Sequence, residues 1–121
     1  MRGFALHPEA YDDIDEIRAY IAEDSPDTAD RMVNEVFERI RLLTQFPNQG
    51  FRRPNFTSLP LRFVTVREYL IASVPEKSPL WVVAVLHGRR SPRVIAAILR
   101  GREQPQLPQV PGQVEKFGLT P

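Results

Sequence analysis

The chemistry open to this chain rests on seven arginines in its second half. Arg52, Arg53, Arg62, Arg67, Arg89, Arg90 and Arg93 have only Glu68 and Glu76 near them in sequence. An arginine is a planar cation with five donors that grips a phosphate or carboxylate through two parallel bonds and stacks on bases. If the loop carrying Arg52 and Arg53 lies beside the segment carrying Arg89 and Arg90, four to six guanidinium groups converge. Such a cluster would bind phosphates or an acidic protein segment. The plainer alternative is a solvated basic edge that keeps a sheet from aggregating. His87 is the one group near them that titrates close to neutral pH. RNA cleavage needs a base for the 2′-hydroxyl and an acid for the leaving oxygen. Beyond Tyr69 there is no tyrosine, and the only lysines are Lys77 and Lys116, so proton carriers are scarce. No paired-carboxylate, Ser/His/Asp, glycine-loop or metal-ligand spacing stands out. The acidic row Glu9, Asp12, Asp13, Asp15 and Glu16 reads as a solvated helix face rather than a metal site. Neither a metal nor a cofactor is expected.

The elements that must position these residues follow from periodicity and punctuation. Phe4 and Leu6 alternate with smaller neighbours as a short strand ending at His7-Pro8. A first helix is expected over about 8–23, with Pro8 in its first turn and Tyr11, Ile14, Ile17 and Ile21 on one apolar face. Ser25-Pro26-Asp27 starts a second helix, with Ser25 as N-cap. Ala29, Met32, Val33, Val36, Phe37, Ile40, Leu43 and Phe46 keep its 3.6-residue period until Pro47 and Gly50 close it. Asp27–Arg31 and Glu35–Arg39 read as i, i+4 ion pairs on its exposed side. With Glu23 to Ser25 alone between them, the two helices form an antiparallel hairpin.

A basic loop fills 48–61, and three strands follow over 62–67, 69–74 and 80–87. Arg67-Glu68 makes a tight joint, and Pro75 to Pro79 makes a five-residue turn. Leu80 to Leu86 is apolar on both faces, as a central strand covered by the hairpin should be. Pro92 to Leu99 allows a short final helix. The order is β-α-α-β-β-β with that helix appended: an α+β domain, residues 1–102, with a helical hairpin packed on an antiparallel sheet. Residues 103–121 read as an extended, proline-rich, mobile tail.

Composition sets the outer limits. The 121 residues suit one domain, and 42% hydrophobic with 26% charged is ordinary for a soluble globular protein. With no cysteine, disulfides, thiol catalysis and thiolate zinc sites are excluded, and two histidines are too few for a histidine-rich metal site. No apolar run approaches the ~18 residues of a membrane span, and the N-terminus lacks the apolar stretch of a signal peptide. A cytoplasmic protein is expected. The net charge of +1 hides a polarity. Residues 1–47 hold eleven acids and five arginines, giving −6. Residues 48–121 hold eleven bases and four acids, giving +7. Such asymmetry points to an interaction surface.

Several short motifs, taken in order, resemble the ParE/RelE superfamily of bacterial type II toxins. They are His7-Pro8-Glu9-Ala10, Asp13 to Ile17, Tyr20-Ile21, Phe46-Pro47 with Gly50, Leu61-Arg62, Tyr69-Leu70-Ile71 and Val85-Leu86-His87-Gly88-Arg89-Arg90. The resemblance spans about residues 3–102. It implies a small toxin neutralised by a cognate, ParD-like antitoxin in a hetero-oligomer, in systems that stabilise plasmids or chromosomes. Relatives of the ParE branch poison DNA gyrase without chemistry of their own. Those of the RelE branch are endoribonucleases that cleave mRNA on the ribosome with basic residues and usually a C-terminal tyrosine. This chain keeps Arg62 and Arg89 or Arg90 but lacks the lysine-rich loop and the terminal tyrosine, which favours the ParE branch. A nuclease would have to work with His87, Arg62, Arg89 and Arg90. For the antitoxin's acidic, amphipathic segment the expected contacts are Arg62, Arg67, Arg89 and Arg90.

Overall fold

A computed structural model describes residues 3–103 and gives the order β1 (Phe4–Leu6), α1 (Pro8–Ala22), α2 (Pro26–Gln45), β2 (Arg62–Val66), β3 (Tyr69–Val74), β4 (Leu80–His87), α3 (Pro92–Glu103). The sequence punctuation accounts for the helix starts. The His7 side chain accepts a hydrogen bond from the Glu9 amide, Ser25 accepts from the Thr28 amide, and a proline opens each helix. The Arg18–Asp30 ion pair ties α1 to α2 across the hairpin.

The four strands form one sheet in the order β1-β4-β3-β2. It is mixed rather than wholly antiparallel, because β1 runs parallel to β4, pairing Phe4 with Leu80 and Leu6 with Val82. The parallel arrangement follows from chain path: the helical hairpin and two further strands separate β1 from β4, and β1 joins the sheet's far edge. The expected central position of Leu80 to Leu86 holds, since β4 lies between β1 and β3.

Two cores explain why β4 is apolar on both faces. On one side Leu80, Val82 and Val85 pack with Ile14, Ile17, Val36, Ile40 and Leu43 of the hairpin. On the other, Val83, Ala84 and Leu86 meet Ile95 and Leu99 of α3 and Phe56, Leu61 and Phe63. The final helix is therefore a structural layer, twelve residues long and reaching Glu103 instead of stopping near Leu99. At about 1.5–3 kcal/mol for each aliphatic side chain fully buried, Ile95 and Leu99 suffice to dock it. Several expectations on the hairpin change. Tyr11 and Phe46 turn out to the surface, Glu35 pairs with Arg67 of the β2–β3 turn instead of Arg39, and Arg31 donates to the Thr28 hydroxyl rather than pairing with Asp27. Apart from Glu103 in α3, the expected tail lies outside the described residues. No described helix is long and apolar enough to cross a membrane.

Candidate functional site

The arginines gather at two places instead of one. The first is the end of the sheet where β2 turns into β3 and β4 finishes. Arg67 opens that two-residue turn with a left-handed φ of 54°, and the Gly88 amide donates to the Glu68 carbonyl at 2.7 Å. These contacts place Arg67 beside the segment that carries Arg89 and Arg90. Arg67 itself is engaged: its Nε and Nη2 each lie 2.9 Å from a Glu35 carboxylate oxygen. The Arg67 hydrogen bond holds the Glu35 carboxyl below its ordinary range, and the same bond raises Arg67.

His87 stands at this end with its ring edge-on to Tyr69, centroids 5.1 Å apart. Its Nδ1 accepts the Arg89 amide at 3.0 Å, and its carbonyl accepts the Arg90 amide. Ser91 then caps α3, its hydroxyl accepting from the Val94 amide. His87 is thus the pivot of the turn from β4 into α3, with one ring nitrogen already committed. The neighbouring Tyr69 hydroxyl is pushed up in pKa, chiefly by burial, which makes it a poorer proton donor.

The second place is the opposite end of β2. Phe51 exchanges both backbone hydrogen bonds with Phe63, at 3.1 and 2.9 Å, so the basic loop runs antiparallel to the edge strand. Gly50 permits this with φ +90°, since a Cβ there would sit 2.4 Å from the Phe63 carbonyl oxygen. The antiparallel direction carries Arg52 and Arg53 toward Arg62. The Arg53 guanidinium stacks on Phe56 at 4.2 Å and reaches Phe51 at 5.6 Å. Phe51 and Leu59 remain 47% and 38% exposed, so this end joins cation and apolar surface.

The strand register separates the two groups. Arg62 pairs with Ser73, whereas Val66 pairs with Tyr69, which in turn pairs with His87. Four residues along the sheet at ~3.3 Å and two strands across at ~4.8 Å put Arg62 about 16 Å from His87. Arg62 and Arg52–Arg53 therefore do not share a site with His87, Arg89 and Arg90, and Arg93 lies beyond the latter on α3.

A third cluster has no counterpart in the expectations from sequence. Asp13, placed there among solvated acids, is buried in the fold. Arg102 meets it through two bonds, Nη1 to Oδ2 at 2.6 Å and Nη2 to Oδ1 at 2.9 Å, and its Nε reaches Glu9 at 3.1 Å. Burial alone would lower the Arg102 pKa, but the bonds and charge of Asp13 outweigh it and raise it. Both partners also serve the backbone of β4, with Asp13 accepting from the Val85 amide and Arg102 donating to the Val83 carbonyl. The register explains why these groups need partners. β1 pairs with β4 only as far as Val82, and a bulge follows, with Ala72 opposite Ala84 but Ser73 opposite Val82. The ion pair occupies the edge that a longer β1 would have covered. Above it lies an open cleft of about 380 Å³ between α1 and α3, walled by Glu9, Asp12 and Glu16 against Arg90 and Ile98. One sequence signal pointed here: Asp13 is the single acid of its row in phase with Ala10, Ile14 and Ile17. Among the described residues no group of three or more His, Asp or Glu is placed to hold a metal ion.

Comparison with known proteins bears on the whole arrangement. The family model described as ParE toxin of the type II toxin–antitoxin system parDE matches residues 4–92. Among solved structures, a chain of the chromosomal ParDE toxin–antitoxin system from P. aeruginosa superposes with a TM-score of 0.58 at 22% identity, covering 72% of this chain and 96% of that one. No curated protein sequence matches the chain.

Proposed function

The chain belongs to the ParE toxin family of type II toxin–antitoxin systems, and from that premise we propose that it acts by holding DNA gyrase, without chemistry of its own, until a cognate antitoxin neutralises it. The observation that carries this reading is the separation of the residues a nuclease would need. Arg62 stands about 16 Å from His87 by strand spacing. His87 has one ring nitrogen bound to a backbone amide, and Tyr69 is a weakened donor. A pentavalent phosphate needs its cations and both proton carriers within hydrogen-bond reach at once. Binding a protein needs no such convergence.

The purified toxin is expected to stop supercoiling by gyrase or to trap cleaved DNA. Undisturbed supercoiling, together with mRNA cleavage that His87→Ala abolishes, overturns the reading in favour of a ribosome-dependent nuclease. For the antitoxin we favour the end built from Arg52, Arg53 and Arg62, where Phe51 and Leu59 supply the apolar part an acidic amphipathic segment requires. Arg67 lies at the other end of β2 and is held by Glu35. Changing Arg52, Arg53 and Arg62 together to Ala should weaken antitoxin binding at least tenfold and flatten its salt dependence. An unchanged affinity refutes the assignment.

A further inference from the structure

The outward face of α3 is a strip of arginines that, like Arg52, Arg53 and Arg62, forms no ion pair among residues 3–102. At 100° per residue, Arg93, Ala97 and Arg100 share the side of the helix opposite the buried Ile95 and Leu99. Arg89 and Arg90 stand just before its first turn. All four arginines are exposed, and none has a carboxylate within ion-pair distance among residues 3–102, whose side chains are described. By contrast Arg18, Arg41, Arg67 and Arg102 each have a partner.

The strip is also held still and kept clear. Ile95 and Leu99 fix α3 to the sheet, and the two bonds from Arg102 to Asp13 fix its last turn. Arg93 and Arg100 are therefore spaced by two helical turns, ~10.5 Å, far enough apart for each long side chain to take its own phosphate. Between and beside them are the small residues Ala96, Ala97 and Gly101, and no atom from outside the helix lies within 4 Å of where a Gly101 Cβ would stand. The one large exposed apolar residue of α3, Val94, lies about 100° round the helix from Arg93. An amphipathic acidic peptide needs apolar anchors, and those sit at the Phe51 end of the molecule. A rigid, open row of bidentate cations without apolar anchors suits a sugar–phosphate backbone.

We propose that the α3 face of this chain contacts the phosphodiester backbone of duplex DNA, with Arg93 and Arg100 each on a phosphate and Arg89 and Arg90 extending the track; α3 has no aromatic side chain on which the bases of a single strand could stack. A contact to phosphates fixes position and carries no direct sequence information. It does not require the gyrase reading and is tested apart from it.

The test is fluorescence anisotropy of the full chain with a 20-base-pair DNA duplex of arbitrary sequence across a salt titration, with a single-stranded RNA of equal length as the second arm. Three or four phosphate contacts give a slope of log K against log salt of about −3 for the duplex, at ~0.9 per contact. Arg93→Ala/Arg100→Ala should reduce that slope by about 1.8, while Arg93→Lys/Arg100→Lys should largely keep it. Arg31→Ala/Arg41→Ala removes the same charge from the hairpin and should leave the slope unchanged. Binding of the duplex with this arginine dependence supports the contact, and an arginine-dependent preference for the single-stranded RNA overturns it. No salt-dependent binding by the parent chain, equal losses in both alanine pairs, or an Arg93/Arg100-dependent affinity for a poly-glutamate peptide instead overturns it. Gyrase inhibition that persists while the duplex fails to bind removes this contact alone.

Discussion

Asp13 belongs to a row of five acids, yet its role is set by the others' exposure and its own burial. It is bonded to Arg102 and to the amide of Val85, so its removal leaves a cation and a backbone donor without partners in a mostly apolar place. Breaking a buried pair from one side typically costs about 3–5 kcal/mol. Asp13→Ala should lose about that much stability in urea denaturation. Asp13→Leu/Arg102→Leu should recover part of it, but not all, because the Val83 carbonyl and Val85 amide stay unpaired. His7 gives a pH prediction with a definite sign. Burial first, and then Arg102, lower its pKa below 6.5 against the opposing pull of Glu9 and Asp13, and neutral Nδ1 is the acceptor that caps α1. A depressed histidine binds its proton more readily in the unfolded chain, so the stability it lends is present above pH 6.5 and drains away as pH falls below it. His7→Gln should flatten that acid limb. Trp81, whose ring centroid is 6.0 Å from that of His7, offers a fluorescence readout.

At the scale of elements, two turns carry conformations that side chains resist. Gly50 lets the basic loop lie on β2. In Gly50→Ala a Cβ would meet the Phe63 carbonyl oxygen at 2.4 Å and the Val64 side chain at 2.6 Å, at a φ of +90°. The loop must then lift off the strand, and a loss of at least ~2 kcal/mol is expected by denaturation. Arg67 tells a subtler story, since its φ of 54° is natural to glycine and its ion pair with Glu35 is solvent-exposed. Arg67→Gly should therefore leave the melting temperature nearly unchanged. Arg67→Val should cost about 1–2 kcal/mol, because a β-branched residue is forced into the left-handed region. Equal effects from the two substitutions would show that the Glu35 contact, and not the turn, is what Arg67 contributes.

For the whole molecule, the hairpin and the basic half are held together by charges crossing between them. Glu35 reaches Arg67, and Asp13 with Glu9 reaches Arg102. The −6 of the first 47 residues and the +7 of the rest are partly spent on these contacts, and the remaining arginines divide between two ends of the sheet. The Arg52–Arg53–Arg62 group and the Arg93–Arg100 pair share no ion-pair partner and should behave independently. The loss of antitoxin affinity from Arg52, Arg53 and Arg62 and the loss of nucleic-acid slope from Arg93 and Arg100 should each be unchanged when all five are replaced. For the affinities, additivity within about 0.3–0.5 kcal/mol is the expectation for unshared partners. A larger coupling would mean that the two ends act as one surface.

The sequence by itself determined the helical hairpin, three strands with their tight Arg67–Glu68 joint, and the two-faced burial of Leu80 to Leu86. These rest on local rules: the Ser25 cap, prolines in the first helical turns, a sustained 3.6-residue period, and alternation ended by proline and glycine. Its ordered motifs also carried the family. Tertiary structure alone decided that β1 runs parallel to β4, that the arginines split into two groups, and that α3 continues to Arg102 and is pinned there. The reason is the same in each case. Register, a bulge after Val82 and an ion pair spanning 89 residues depend on which distant segments meet. Asp13 reads from the sequence as one of a solvated acidic row, although it is in phase with Ala10, Ile14 and Ile17; only the packed fold buries it and supplies the arginine that makes its burial tolerable.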